Sequence, residues 1–159
     1  MRMTPQPPAT DFSWNDGFLL GYPPMDGIHE EFVGLVGAMK VASDEELPPL
    51  LDRFARHARD HFDAENAWMA QTDFPARDCH VGEHDAVLAS VLAVQQRLND
   101  GASCESARRL VEHLEAWFPG HADHLDSALS HWLCKLRWGG KPVVIRRNIM
   151  TAAAGPAHQ

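Results

Sequence analysis

The chain has 159 residues and a mass of 17.7 kDa, which is the size of one ordinary domain, and its 45% apolar and 23% charged residues are typical of a globular protein. A net charge of −8 argues against nucleic acid as the partner of the whole chain, and no apolar run approaches the roughly 20 residues that span a bilayer. The first residues lack an apolar signal segment, and the three cysteines have no CxxC spacing. We therefore expect a cytoplasmic protein without a disulfide framework.

The first half of the chain contains two predicted helices. Apolar side chains recur at helical spacing in residues 25–42, which predicts the first helix. The acidic residues 43–46 break the pattern, and the adjacent Pro48 and Pro49 suit the start of a second helix that extends to about residue 72.

Two further helices are predicted in the second half. Residues 79–98 carry an apolar stripe that ends at the Asn-Asp-Gly sequence of residues 99–101. A fourth amphipathic stretch begins at about residue 103, and we expect Pro119 and Gly120 to kink or interrupt it before it resumes as far as residue 136.

The sequence predicts an all-α fold. No stretch alternates in the manner of a strand, and four amphipathic helices with short connections favour an up-down-up-down four-helix bundle. We predict a single domain over residues 1–159, with an N-terminal arm and a bundle at about residues 12–136.

The C-terminal extension, residues 137–159, differs in charge from the bundle. From Cys134 onward there are five cations and no acid, so the preceding residues carry −13, the difference between −8 for the chain and +5 for its end. We expect this tail to be dispensable for the chemistry below and either to fold back on the acidic body or to bind an acidic protein partner.

Residues that bind metals occupy the predicted core stripes of all four helices. These residues are His29 on the first helix, His61 and Glu65 on the second, His80 and His84 on the third, and His121 on the fourth. One histidine on an apolar face is more often a hydrogen-bonded core residue than a ligand. Five histidines and a glutamate in one interior would be costly without partners, because each unsatisfied buried polar group costs about 1–3 kcal/mol. The pattern therefore indicates a metal site.

The spacing of these residues resembles that of the bacterial hemerythrins, a family of non-haem di-iron proteins that bind oxygen. The family pattern is a lone histidine, then His-x3-Glu, His-x3-His and His-x4-Asp, and the matching residues are His29, His61 with Glu65, His80 with His84, and His121 with Asp126. Trp14 and the Leu20-Gly21-Tyr22 sequence are also similar to the start of the family, so the resemblance covers about residues 12–133.

The resemblance implies two iron ions bridged by Glu65, Asp126 and an oxo or hydroxo group. It places His80, His84 and His121 on one iron and His29 and His61 on the other. Two six-coordinate irons then keep one open position, which accommodates dioxygen but not dioxygen together with a substrate. The implied function is reversible oxygen binding for transport, storage or delivery, without enzymatic turnover.

Three alternatives remain open at this stage. The di-iron site is also compatible with an oxygen, redox or nitric-oxide sensor, and with a protein that processes peroxide or nitric oxide. The third alternative is a zinc peptidase, because His80, Glu83 and His84 also match the H-x-x-E-H pattern of the inverzincins. That pattern leaves the residues on the other three helices unexplained.

Two details of the site follow from position in the sequence. In a regular helix Asp123 lies about 200° and Asp126 about 140° around the axis from His121, so neither acid shares its face and the helix must deform to bring Asp126 inward. We expect Pro119 and Gly120 to allow that deformation and Asp123 to stay in water. The candidates for an apolar lining are Phe32, Phe62, Trp117 and Phe118.

Overall fold

The computed structural model describes residues 11–147, and within that range the chain is helical and contains no strand. A short 3₁₀ turn, Asp16–Phe18, precedes the helices. The helices are α1 (Pro23–Val41), α2 (Leu47–Gln71), α3 (Arg77–Asn99), α4 (Glu105–His121) and α5 (Ser127–Trp138). These bounds lie within two or three residues of the predicted ones, and the four-helix bundle is confirmed.

The helices pack in a closed ring. Helix α1 contacts α2 and α4, and α3 contacts the same two neighbours, as expected when each helix runs antiparallel to the next. No helix within the described range is long and apolar enough to cross a membrane.

The connection before α2, residues 43–46, ends in a hydrogen-bonded cap. The Ser43 hydroxyl accepts a hydrogen bond from the Glu46 backbone N–H, and the Glu46 carboxylate accepts one from the Ser43 N–H. This reciprocal capping satisfies donors before the helix, and the prolines that follow have no N–H to leave unpaired.

The fourth helix departs from α geometry at a different place from the one predicted. Helix α4 runs through Pro119 and Gly120 to His121, so the predicted interruption at those two residues is wrong. The departure follows immediately, in a π-helical turn at Ala122–Asp126, called here the π-turn, where the Ser127 N–H donates to the Ala122 carbonyl five residues earlier.

Two apolar clusters fill the bundle on either side of a polar layer. The larger contains Phe32, Phe54, Leu114 and Phe118 with their neighbours, and the smaller lies around Met25, Met69 and Leu129. On α1, for example, His29 lies between Met25 of the smaller cluster and Phe32 of the larger, and on α2 Glu65 lies between Phe62 and Met69. The polar layer is therefore enclosed by packed side chains at both ends.

The extended C-terminal segment folds back onto the N-terminal arm. The Asp16 carboxylate accepts hydrogen bonds from the backbone N–H of Arg147 at 2.8 Å and from its guanidinium at 2.9 Å. Gly21 adopts φ +86°, and a Cβ there would lie 2.6 Å from Cβ of Pro142, so glycine permits this close crossing. The described part of the tail thus contacts the chain's own body, one of the two outcomes expected from its charge; residues 148–159 lie outside the described range.

We expect Arg147→Ala to lower the melting temperature slightly at neutral pH. The effect should disappear as the pH falls to about 2. Hydrogen bonds from Arg147 hold the pKa of Asp16 at about 2, below the value of 3.8 expected for an unfolded chain. Such a depressed carboxyl pKa stabilises the fold above pH 3.8, and the stabilisation is lost as the pH falls through about 2. Melting curves of the variant and the wild type should therefore converge at the acid end.

A protein truncated after Trp138 should lose the same small increment of stability and keep its metal uptake. Metal uptake should be kept because neither Asp16 nor Arg147 contacts the polar layer. Loss of metal uptake on truncation would contradict the prediction that the tail is dispensable.

Candidate metal centre

The structure brings together all seven side chains that the sequence singled out as ligands. One group of ligand atoms comes from Glu65, His80, His84, His121 and Asp126, and a second from His29, His61 and Glu65, with the atoms of each group within 4.8 Å of one another. Every one of these residues is at most 4% exposed. Glu65 belongs to both groups, so the two candidate metal positions are adjacent.

The five imidazoles all point the same nitrogen, Nε2, at the two carboxylates. On one side, Nε2 of His29 lies 3.2 Å and that of His61 2.8 Å from Oε1 of Glu65. Asp126 closes the ring of donors from the fourth helix, and His29 Nε2 lies 3.1 Å from its Oδ2. Both carboxylates therefore stand between the histidines of different helices.

The remaining three histidines surround the other carboxylate oxygens. Nε2 of His84 lies 3.1 Å from Oε2 of Glu65, and the Nε2 atoms of His80 and His121 lie 2.9 and 3.2 Å from Oδ1 of Asp126. The Nε2 atoms of His84 and His121 are 3.3 Å apart. Three imidazoles thus face one position and two face the other.

Asp126 reaches this centre because of the π-turn. In a turn closed by hydrogen bonds from residue i to residue i+5, the fifth residue after His121 comes to lie above it, whereas α geometry would carry it about 140° away. Asp126 is fully buried, and Asp123 in the same turn is exposed. Asp126 thus reaches the interior through the π-turn, which begins directly after the helix that contains Pro119 and Gly120.

The four aromatic residues predicted to line the site all contact its imidazoles. Phe62 stacks on His84 with ring centroids 4.2 Å apart, Trp117 stacks on His121 at 4.3 Å, Phe118 meets His29 edge-on at 5.2 Å, and Phe32 meets His61 edge-on at 5.8 Å. These rings restrict water around the centre and fix the planes of the histidines.

The outer nitrogen, Nδ1, distinguishes the histidines from one another. Nδ1 of His84 donates to the amide oxygen of Asn66 at 2.9 Å, and Nδ1 of His121 donates to the Glu83 carboxylate at 3.2 Å. The Nδ1 atoms of the other three ligand candidates are buried without a hydrogen-bond partner in the described part of the chain. Sequence reasoning did not give Asn66 or Glu83 this role.

The buried carboxylates and imidazoles of the polar layer shift one another's pKa values. Burial opposes ionisation of Glu65 and Asp126, but the surrounding imidazoles outweigh it and hold the pKa of both carboxyls well below the usual range. Burial also opposes protonation of His29 and His80, yet the adjacent carboxylates of Asp126 and Glu65 raise their pKa values to about 10 and about 9. Burial lowers the pKa of His84. Without metal, His29 and His80 are therefore imidazolium ions that face the two carboxylates at neutral pH.

The donor set fits a pair of transition-metal ions. Both oxygens of Asp126, Oε2 of Glu65 and Nε2 of His80 are buried and have no hydrogen-bond partner among the described residues, although they lie next to one another. Imidazole suits iron, copper and zinc, and a carboxylate with two free oxygens can bridge two ions. Metal ions would satisfy atoms that the protein alone leaves unsatisfied.

The geometry does not favour the inverzincin alternative. Glu83 is absent from both groups of ligand atoms, and its carboxylate is held by Nδ1 of His121 and by Nε1 of Trp117. A catalytic glutamate of a zinc peptidase must instead reach the water on the metal side of the histidines. Here Glu83 lies behind a ligand candidate, on the side facing solvent.

A further histidine, His57, is buried beside the centre without joining it. Its ring packs against His61 with centroids 5.4 Å apart, and burial lowers its pKa to about 4. It lines a cleft of about 340 Å³ between α1 and α2 together with His61. His113, His124 and His131 are exposed and lie outside both groups.

Comparison with known proteins agrees with this geometry. The sequence profile described as Hemerythrin HHE cation binding domain matches residues 20–133. The chain is 39% identical over 122 residues to a protein named Bacteriohemerythrin from Ralstonia nicotianae (strain ATCC BAA-1114 / GMI1000), an alignment that covers 77% of this chain and 88% of the relative. No solved structure matches the chain.

Proposed function

Because the chain belongs to the hemerythrin family, we propose that it binds dioxygen reversibly at a non-haem di-iron centre and acts as an oxygen carrier, store or donor, not as an enzyme. The proposed ligands are His29, His61, Glu65, His80, His84, His121 and Asp126. A cytoplasmic location stays a prediction from the sequence.

The observation that carries this proposal is the division of the five imidazoles around two shared carboxylates. Three Nε2 atoms surround one position and two surround the other, while Glu65 and Asp126 lie between them. A centre held in this way has one ligand fewer at the His29 and His61 position. Iron held by these residues would supply the electrons that bound dioxygen takes up and gives back when it leaves.

The protein's own residues provide an environment suited to binding without turnover. The rings of Phe32 and Phe118 cover the position of His29 and His61, and the larger apolar cluster continues behind them. These rings exclude water from that side and carry no proton donor. This environment supports a carrier over a protein that processes peroxide or nitric oxide.

We expect metal uptake to release protons near pH 7, including those of His29 and His80. His29 and His80 have pKa values of about 10 and 9 in the metal-free protein and must lose their protons before Nε2 binds a metal ion. Titration of the metal-free protein with Fe²⁺ under anaerobic conditions, in weak buffer with a pH indicator, measures the release. Metal uptake should weaken as the pH falls. If no protons were released, the raised pKa values of His29 and His80 would be contradicted.

The decisive experiment cycles iron-loaded protein between oxygenated and deoxygenated solution. We expect two irons per chain and a visible absorption band that appears and disappears over repeated cycles. A single zinc per chain, or no metal, would contradict the di-iron centre. A band that decays irreversibly with consumption of peroxide or nitric oxide would favour the catalytic alternative.

A further inference from the structure

Glu83 connects a buried ligand candidate to the surface. Its Oε1 atom accepts hydrogen bonds from Nδ1 of His121 at 3.2 Å and from Nε1 of Trp117 at 3.3 Å. The side chain of Glu83 is 45% exposed, whereas that of His121 is 1% exposed. The carboxylate therefore keeps its hydration on one side and binds two rings of α4 on the other.

These contacts hold the His121 ring from two directions. Trp117 stacks on the ring with centroids 4.3 Å apart and planes inclined by 26°, so it limits tilting. The hydrogen bond to Glu83 limits rotation within the plane and keeps a proton on Nδ1. Nε2, which faces Asp126 and His84, is therefore the nitrogen that a metal ion would bind.

No other ligand candidate has an anionic partner at its outer nitrogen. His84 has the neutral amide of Asn66, and His29, His61 and His80 have no hydrogen-bond partner there among the described residues. A carboxylate behind a metal-binding imidazole raises the basicity of the ligand, and an amide does so less. Among the five histidines, His121 is thus the one whose outer nitrogen hydrogen-bonds a carboxylate of the described chain, so we expect its Nε2 to be the most basic.

We propose that Glu83 is a positioning residue that fixes the tautomer and orientation of His121 and makes it the strongest imidazole donor of the centre. This inference rests on the proposed di-iron function. Glu83 acts through His121 and belongs to neither group of ligand atoms. Through His121 it would stabilise the more oxidised state of an iron ion bound there, and so lower its reduction potential.

The experiment compares Glu83→Gln, Glu83→Ala and the matched control Asp85→Asn. Asp85 is exposed on the same helix two residues away, so its substitution removes the same charge without touching His121. Glutamine keeps a hydrogen-bond acceptor and loses the charge, whereas alanine loses both. The measurements are iron content, the reduction potential of the iron-loaded protein, and the NMR signal and solvent exchange of the His121 Nδ1 proton in protein loaded with diamagnetic Zn²⁺.

We expect Glu83→Gln to keep two irons and raise the reduction potential, while Asp85→Asn matches the wild type. Glu83→Ala should also weaken iron binding by about 10- to 100-fold, as is typical when an outer partner of a ligand is removed. In the zinc-loaded protein the Nδ1 proton of His121 should exchange slowly with solvent in the wild type and faster in Glu83→Ala.

Three results would overturn the inference. If the wild type binds two irons and oxygen reversibly and Glu83→Gln has the same potential as Asp85→Asn, the role of Glu83 is refuted while the proposed function stands. An Nδ1 proton of His121 that exchanges equally slowly in zinc-loaded Glu83→Ala would refute the positioning role without any reference to iron. A wild type that binds no iron overturns the function and this inference together.

Discussion

Substitution of Asp126 by asparagine should abolish the oxygen-dependent absorption band and remove at least one iron per chain. Asp126 is fully buried, and its oxygens lie within 3.2 Å of Nε2 of His29, His80 and His121. Asparagine has the same shape but carries no charge, and its amide nitrogen cannot bind a metal ion beside its oxygen. The two metal positions would lose one of the two carboxylates that join them.

The matched control is Asp123→Asn, in the same π-turn. Asp123 is exposed, so its substitution should leave iron content, the band and the melting temperature nearly unchanged. Iron content by elemental analysis and the visible spectrum over an oxygenation cycle decide the comparison. If Asp123→Asn lost the band and Asp126→Asn kept it, the assignment of the bridging acid would be reversed.

The metal-free proteins separate a ligand role from a folding role. Without the charge of Asp126, the buried imidazolium of His29 keeps only Glu65 as an anionic partner, so its pKa should fall from about 10. We expect Asp126→Asn to remain folded, with a circular dichroism spectrum of the same helicity as the wild type. An unfolded variant would be replaced by Asp126→Glu, which keeps the charge and displaces the oxygens.

Much of the bundle was predictable because helical periodicity is a local property of the sequence. His61 and Glu65, or His80 and His84, lie one turn apart in any helix, so their common face follows from spacing alone. Burial of that face follows from the apolar residues that continue it. Four such faces in one chain leave few packings other than a bundle around a polar layer.

The features that spacing could not give depend on contacts between distant segments. The sequence showed that the helix must deform near His121, but not where. The α-helix continues through Pro119, and the departure is the π-turn that follows His121. The pairings of Asn66 with His84 and of Glu83 with His121 join different helices. A rule that metal-binding histidines need an outer partner predicts that such residues exist, but not which ones they are.

The second large effect is expected from His84→Ala. His84 is 1% exposed, its Nε2 lies 3.1 Å from Glu65, and its ring stacks on Phe62. Removal of the ring deletes one of the three nitrogens at the more crowded position and leaves a space beside Phe62. We expect iron affinity to fall on the order of 100-fold or more, since even loss of an outer partner costs about 10- to 100-fold.

Exogenous imidazole distinguishes a lost ligand from a damaged core. The space left by His84→Ala is bounded by the Phe62 ring on one side and by His80 and His121 on the other, whose ring centroids lie 4.5 and 5.1 Å from that of His84. Imidazole therefore fits where the side chain was, and we expect it to restore part of the iron content and of the oxygen-dependent band. The exposed His131→Ala serves as the control and should need no rescue. Full iron content in His84→Ala without added imidazole would exclude His84 from the ligand set, and with it the assignment of three imidazoles to one iron.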